Sequence, residues 1–251
     1  MKLLVTGGAG YIGSHLTDAL LAQGHSVTVL DNLVTGKELN LESAIATGRC
    51  ELRIGDIRDA ALIDELVGKA EGIYHLAAVV GVKYVTEHPL EMMLVNVEGT
   101  AAVLAAAATH RIPILVASSS EVYGDGARLP FREDEPSVIG PTSEPRWGYA
   151  LAKALDEHLA FAYWKEQGLP TVAVRYFNSY GPRVDQRGYG SVIAKFIDQA
   201  LKNEELPIFG DGTQSRAFTF VDDTVAGTIK AFTSMLAGPA ARGQAFNVGY
   251  P

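Results

Sequence analysis

Two side chains four residues apart, Tyr149 and Lys153, have the types and spacing needed to move a proton. On a helix, positions i and i+4 lie on one face. A tyrosine hydroxyl with its ordinary pKa of about 10 is a poor base at neutral pH, and an adjacent ammonium favours the phenolate and lowers that pKa. Such a pair can take a proton from a substrate hydroxyl. The pattern Y-x-x-x-K carries little information alone, and it equally describes a surface lysine one turn from a core tyrosine. A second polar group, Ser118-Ser119-Ser120-Glu121, directly follows the apolar run 114–117. Polar residues at the carboxyl end of a central parallel strand sit where open α/β sheets bind ligands. A serine-rich turn reads the same way.

The N-terminal stretch supplies a partner for that pair. Residues 2–5 read as a buried strand, and residues 6–13 turn tightly on glycines. Residues 11–23 carry helical periodicity through Ile12, Leu16, Ala19 and Leu20, and the apolar run 27–30 ends on Asp31. Gly8, Gly10 and Gly13 give G-x-G-x-x-G, while Gly7, Gly10 and Gly13 give G-x-x-G-x-x-G. In either reading a backbone without side chains can approach a pyrophosphate at a helix N-terminus. Asp31 follows about 20 residues on, where a carboxylate accepts from both ribose hydroxyls and repels a 2′-phosphate. NAD is therefore expected rather than NADP, with Lys37 the nearest cation able to weaken the preference. With a dinucleotide in place, Tyr149 and Lys153 acquire a reaction: removal of a hydroxyl proton while hydride moves to nicotinamide. The same lysine can hold the nicotinamide ribose.

The composition removes several classes of function. The chain has 251 residues, 47% of them apolar, enough for one large α/β domain or one with a small appendage. A net charge of −8 argues against nucleic acid or an anionic membrane as the main partner. A single cysteine, Cys50, excludes an internal disulfide framework and fits a reducing, cytoplasmic compartment. The N-terminal apolar run is too short and glycine-rich for a signal peptide. The apolar region 95–108 contains Asn96, Glu98 and Gly99, and is not expected to span a membrane. The six histidines show no ligand spacing, so no metal site is expected.

Strand and helix patterns alternate as a parallel sheet covered on both faces requires. Strands are expected at 51–54, 72–75, 114–117 and 171–175. Helices are expected at 39–46, at 60–67 with Asp59 as N-cap, and as two long elements at 89–110 and 147–167. The connection 124–146 is rich in Pro, Gly and charge, and loops of that length are usually functional or mobile. Beyond it the alternation loosens. Short strands are expected at 207–209 and 217–220, helices at 192–201 and 222–236, and a last strand at 245–248. Residues 1–175 read as a dinucleotide-binding domain and 176–251 as a substrate-side region interleaved with its sheet.

Several motifs in order carry a resemblance: GGAGYIG, Asp31-Asn32, GDIRD at 55–59, HLAA at 75–78, SSSEVYG at 118–124, YALAK, RYFNSYGPR, and FGDGTQSRAFTFVDD at 209–223. Together they resemble the extended short-chain dehydrogenase/reductases, the NAD-dependent nucleotide-sugar epimerases, dehydratases and decarboxylases. The resemblance implies a Rossmann-type doubly wound sheet and a small C-terminal substrate lobe. Such proteins usually continue for several tens of residues past this point, so the lobe is expected to be incomplete. It also implies roles. Gly7, Gly10, Tyr11, Ile12 and Gly13 would line the pyrophosphate, Asp31 and Asn32 the adenosine ribose, and Asp56 and Ile57 the adenine. Leu76, Ala77 and Ala78 would bring backbone near the cofactor, and Tyr176 would lie beside the nicotinamide. Ser119 would share the sugar 4-hydroxyl with Tyr149, with Ser120 beside it. Asn178, Arg183 and Arg216 would hold the nucleotide-sugar diphosphate. Phe209 would line the substrate side, or else be ordinary core, and His75 reads equally well as a satisfied residue at a strand end.

Members of this group begin by oxidising the sugar at C4. Dehydratases carry an Asp-Glu pair at the fifth-strand tip, and here the aspartate position is Ser120, which disfavours dehydration. Ser-Glu-Val-Tyr-Gly and GPTSEPRWGYALAK resemble the UDP-glucuronate decarboxylases, with Glu121 and Arg216 the residues available for handling loss of CO₂ and protonation at C5. A UDP-hexose or UDP-uronate 4-epimerase is the alternative, and a non-catalytic NAD-binding sensor or scaffold is the reading from another class. The arginine of GDGTQSR is followed by Ala217, where relatives often carry an acidic or polar residue. The helices 89–110 and 147–167 resemble those that pair two copies into a dimer, though sheet packing alone would also explain their apolar content.

Overall fold

A computed structural model describes residues 1–126, 128–184, 192–208 and 210–250. Its centre is a parallel sheet of β1 (Lys2–Thr6), β2 (Ser26–Asp31), β3 (Cys50–Ile54), β4 (Gly72–His75), β5 (Ile114–Ser119), β6 (Thr171–Tyr176) and a late strand, Gln244–Val248. The spatial order is third, second, first, fourth, fifth, sixth, then the late strand. The order reverses between β1 and β4, and such switch points open a crevice beyond the carboxyl ends of the strands.

The strands are apolar on both faces because helices cover both. Period-2 alternation divides the side chains: Leu3 and Val5 join one core, while Leu4 joins the other. On the first face lie α1 (Tyr11–Ala22) and α2 (Glu42–Ala46). On the second lies α3 (Ala60–Val67), which Asp59 caps by accepting from the backbone N–H groups of Ala61 and Leu62 at 3.1 Å each, as its sequence led one to expect.

The helical stretch 89–110 is present, with a local irregularity. A short helix absent from the sequence reading, α4 (Val82–Glu87), comes first. Then α5 (Pro89–Met93) runs through a π-helical turn, Leu94–Glu98, into α6 (Gly99–His110). The turn contains fully buried Asn96, whose side-chain amide grips the loop after β4: Oδ1 accepts from Val79 N at 2.7 Å and Nδ2 donates to Val79 O at 3.1 Å. Pro89–His110 is long and apolar enough to cross a membrane by composition, but half of its most apolar window is buried inside the fold. The second long helix, α7 (Pro145–Gln167), begins at the proline expected at a first helical turn.

The later chain is more mixed. Ser179–Tyr180 (β7) and Thr219–Phe220 (β8) form a separate two-residue parallel pair. The strand expected at 217–220 shrinks to β8 because its partner offers only two residues. Pro207 and Ile208 form no strand, and Phe209 lies outside the described residues. The helix α8 (Val192–Leu201) buries no residue, whereas α9 (Val221–Ala237) packs Val225, Phe232 and Met235 into the first core. The late strand, β9, pairs in register with β6.

Candidate active site

A cavity of about 600 Å³ opens at the switch point. Its floor is the glycine turn. Gly7 has φ +71°, and a Cβ there would lie 2.7 Å from the backbone nitrogen of Ala77. A Cβ on Gly13 would collide with the Gly7 carbonyl. Gly10 caps α1 without a side chain, so the first N–H groups of the helix face the cavity. Gly8 instead packs against Val29 in the core. The structure thereby chooses between the two glycine readings: Gly7, Gly10 and Gly13 line the cavity.

Asp31 closes one side. Only 8% of it is exposed; Oδ2 accepts from Ala9 N at 3.0 Å and Oδ1 from Leu33 N at 2.9 Å. Burial pushes its carboxyl up, and the N–H groups of Leu33, Ala9 and Gly10 pull it back. Asn32, Asp56, Ile57, Leu76, Ala77 and Ala78 line the same wall. Asp56 is not free there, because Arg58 holds it through two contacts of 2.9 and 2.6 Å and draws its carboxyl below the usual range. Arg58 itself lines the cavity and was not singled out from the sequence, although it stands inside the GDIRD motif.

At the other end, β5 and α7 bring Ser119, Tyr149 and Lys153 together. The Ser119 side chain is close enough to the Tyr149 hydroxyl to pull its pKa down. Lys153 is 3% exposed, and its Nζ donates to Asp156 Oδ2 at 3.1 Å. Lys153 does lower the Tyr149 pKa, but burial outweighs it and the net direction is upward. The expectation that the ammonium sets the pKa needs that correction for the protein alone, because sequence spacing carries no desolvation. The ammonium is itself held above its ordinary pKa: burial alone would depress it, and Asp156 reverses the sign.

His75 is the satisfied strand-end residue its plainer reading described. Its ring meets Thr6 Oγ1 at 2.7 Å and Thr100 Oγ1 at 3.0 Å, and burial pushes its pKa down to about 3. Tyr176 lines the cavity beside Ser119 and shares a 2.9 Å hydrogen bond with Thr228.

The residues expected on the substrate side are dispersed. Asn178 and Arg183 line the cavity; Asn178 Nδ2 donates to Ala217 O at 3.1 Å, and Arg183 pairs with Asp18 at 2.8 Å. Ser120 starts the 3₁₀ turn Ser120–Tyr123 and is half-buried outside the cavity lining. Glu121 is exposed and lies outside the cavity lining, its N–H donating to Ser119 Oγ at 3.2 Å, and its charge reaches Tyr149 and raises that pKa. Arg216 is exposed, lies outside the cavity lining, and donates to the neighbouring Ser215 carbonyl at 2.7 Å. Among the described residues, no group of three or more metal-ligating side chains is assembled.

The model of the NAD dependent epimerase/dehydratase family matches residues 3–249. The chain is 42% identical over 248 residues to UDP-N-acetyl-alpha-D-glucosaminuronate decarboxylase of Bacillus cytotoxicus, covering 99% of this chain and 74% of that one. It is 40% identical to UDP-glucose 4-epimerase of Mycolicibacterium smegmatis, covering 99% and 77%. The dTDP-glucose 4,6-dehydratase of Streptomyces venezuelae, solved with NAD bound, superposes with a TM-score of 0.85 at 32% identity, covering 99% of this chain and 75% of that one. The chain spans only 56% of the UDP-glucuronic acid decarboxylase 1 of Xenopus tropicalis, to which it is 37% identical.

Proposed function

The chain belongs to the NAD-dependent epimerase/dehydratase family, and from that premise we propose that it oxidises a UDP-sugar at C4 and decarboxylates UDP-glucuronate. The observation that carries the C4 chemistry is one cavity holding the glycine turn at one end and Ser119, Tyr149 and Lys153 at the other. The residues fit the cofactor: Gly7 and Gly13 leave a cradle that a Cβ would fill, and Asp31 is rigidly presented by three N–H groups. When bound, NAD would supply a hydride acceptor for C4 and positive charge near Tyr149.

Tyr149 takes the proton of the 4-hydroxyl at its phenolate oxygen, and Ser119 shares that hydroxyl and orients it. Lys153 supports the phenolate electrostatically and would hold the nicotinamide ribose. Tyr11, Ile12, Leu76, Ala77, Ala78 and Tyr176 line the cavity and would hold the cofactor there. With C4 oxidised, glucuronate is a β-keto acid. Loss of CO₂ leaves an enolate that the 4-carbonyl stabilises and that must be protonated at C5. Glu121, outside the cavity lining but within electrostatic reach of Tyr149, handles that step, with Ser120 beside it. Asn178, Arg183 and Arg216 neutralise the diphosphate, Phe209 contributes to the substrate side, and residues 176–251 act as the substrate-side region on the 1–175 domain.

The decarboxylase reading is favoured by the carboxylate at the fifth-strand tip and by the 42% identical relative. A 4-epimerase is favoured by the 40% identical relative, and needs no carboxylate at Glu121. Incubation with NAD and carboxyl-labelled UDP-glucuronate separates them. Labelled CO₂ and a UDP-pentose are expected, while a C4 epimer with its carboxylate intact would select the other reading. Glu121→Gln blocks decarboxylation and spares C4 oxidation in the first case, and changes little in the second.

We also infer a cytoplasmic homodimer. Leu90 and Leu94 on the helix through α5, and Leu151 and Leu155 on α7, are exposed i,i+4 pairs on neighbouring helices. Sedimentation at a single monomer mass would refute it.

A further inference from the structure

The geometry points to Asp156 as a positioning residue that keeps Lys153 charged and aimed at Tyr149, braced by a buried line of side chains running back to the glycine turn. This rests on the role given above to Tyr149 and Lys153. Asp156 is fully buried one turn beyond Lys153, with Oδ2 3.1 Å from Nζ. Its Oδ1 completes no hydrogen bond, so the carboxylate is held chiefly by the ammonium. Thr100 on α6 faces it and favours its charged form.

Behind Thr100 the contacts continue through His75 and Thr6 to the backbone N–H of Ala77, which donates to Thr6 Oγ1 at 3.2 Å. The direction of these hydrogen bonds turns on the His75 tautomer, because Thr6 Oγ1 accepts from Ala77 N–H and can still either donate to or accept from Nδ1. A backbone N–H can only donate and a carboxylate can only accept. Neutral His75 has one ring proton to give. If Thr6 donates to Nδ1, Nε2–H donates to Thr100 Oγ1, and the Thr100 proton is left to face Asp156. The opposite tautomer turns that proton away from the carboxylate. The same Ala77 backbone is the atom group that Gly7 approaches so closely, so the line joins the cofactor turn to the base.

Among the described residues, no other group substitutes for Asp156. The charged groups facing Lys153 and Tyr149 are Asp156 and Glu157 from α7 and Glu121 from the turn after β5, with His75 of β4 neutral. Glu157 is already committed: Arg175 grips both its oxygens at 2.9 and 2.7 Å, and Ser118 donates to it. Glu121 is exposed to solvent.

The test compares Asp156→Asn, Asp156→Glu and Lys153→Met. In Asp156→Asn, single-turnover reduction of NAD by UDP-glucuronate is expected to fall on the order of 100-fold, as for a mis-aimed group. Its alkaline limb should move to lower pH, because an unpaired buried ammonium loses its proton more readily. NAD affinity by calorimetry should weaken, and Asp156→Glu should restore part of each property. If Lys153→Met reduces NAD normally, the Tyr–Lys reading itself has failed. If Lys153→Met is inactive while Asp156→Asn keeps the wild-type rate, pH limb and NAD affinity, the positioning role is overturned. Should Asp156→Asn not fold, the double variant Lys153→Met/Asp156→Asn decides. Removing both charges should recover the fold, and failure to recover it also overturns the inference.

Discussion

The cofactor end and the substrate end of the site are built from different materials. At the cofactor end the groups that matter are backbone atoms and a buried side chain: the turn at Gly7 to Gly13 and Asp31 held by N–H groups. Among the described residues expected at the substrate end, Arg216 is exposed and donates to Ser215 O, and the same later chain carries a two-residue strand pair and a helix that buries nothing. Burial makes the first end rigid and chemically perturbed.

That contrast can be broken at either end. The largest expected effect is at Tyr149: Tyr149→Phe should slow NAD reduction by roughly 10²–10⁴-fold while leaving calorimetric NAD affinity near wild type. An active phenylalanine variant would move the base elsewhere. Next comes the cost of keeping His75 neutral. Its folded pKa, about 3, lies below the unfolded value of 6.5. The unfolded chain therefore binds the extra proton between those values, and stability falls as pH falls through that window, by up to about 1.4 kcal/mol per pH unit. Urea titrations should show that slope diminished in His75→Gln; parallel slopes would mean that His75 protonates readily in the folded state.

Gly13→Ala drives a methyl into the Gly7 carbonyl. It should lower stability by about 1–3 kcal/mol and weaken NAD binding, both absent if the turn can yield. The smallest stability effect belongs to Arg216→Ala, within about 0.5 kcal/mol by thermal unfolding. Its KM for UDP-glucuronate should nevertheless rise roughly tenfold, as for loss of one charged hydrogen bond. A large loss of stability there would erase the distinction between the two ends.

The same contrast explains what the sequence made legible. The cofactor end depends on short-range demands, a glycine where no Cβ fits and an acid at a fixed distance, so the residues expected there all line one cavity. The sheet was legible for the same reason, since apolar runs and their alternation are local. The π-helical turn at Asn96 and the β7–β8 pair were not, because each depends on a partner distant in the chain. The sign of the Tyr149 shift escaped as well: Y-x-x-x-K reports the ammonium but not the depth at which the hydroxyl sits. Asp156 was unremarked for a similar reason, as a carboxylate near a lysine on a helix usually marks a solvated pair, and only the fold shows both to be buried.

The central claim is that Tyr149 deprotonates the C4 hydroxyl of a UDP-sugar while the C4 hydrogen leaves as hydride. UDP-glucuronate deuterated at C4 tests it directly. After a quenched single turnover with NAD, mass spectrometry should find the deuterium in the reduced nicotinamide, and Tyr149→Phe should abolish its appearance. Turnover of the sugar with deuterium never entering the cofactor, or entering it equally in Tyr149→Phe, would contradict the account.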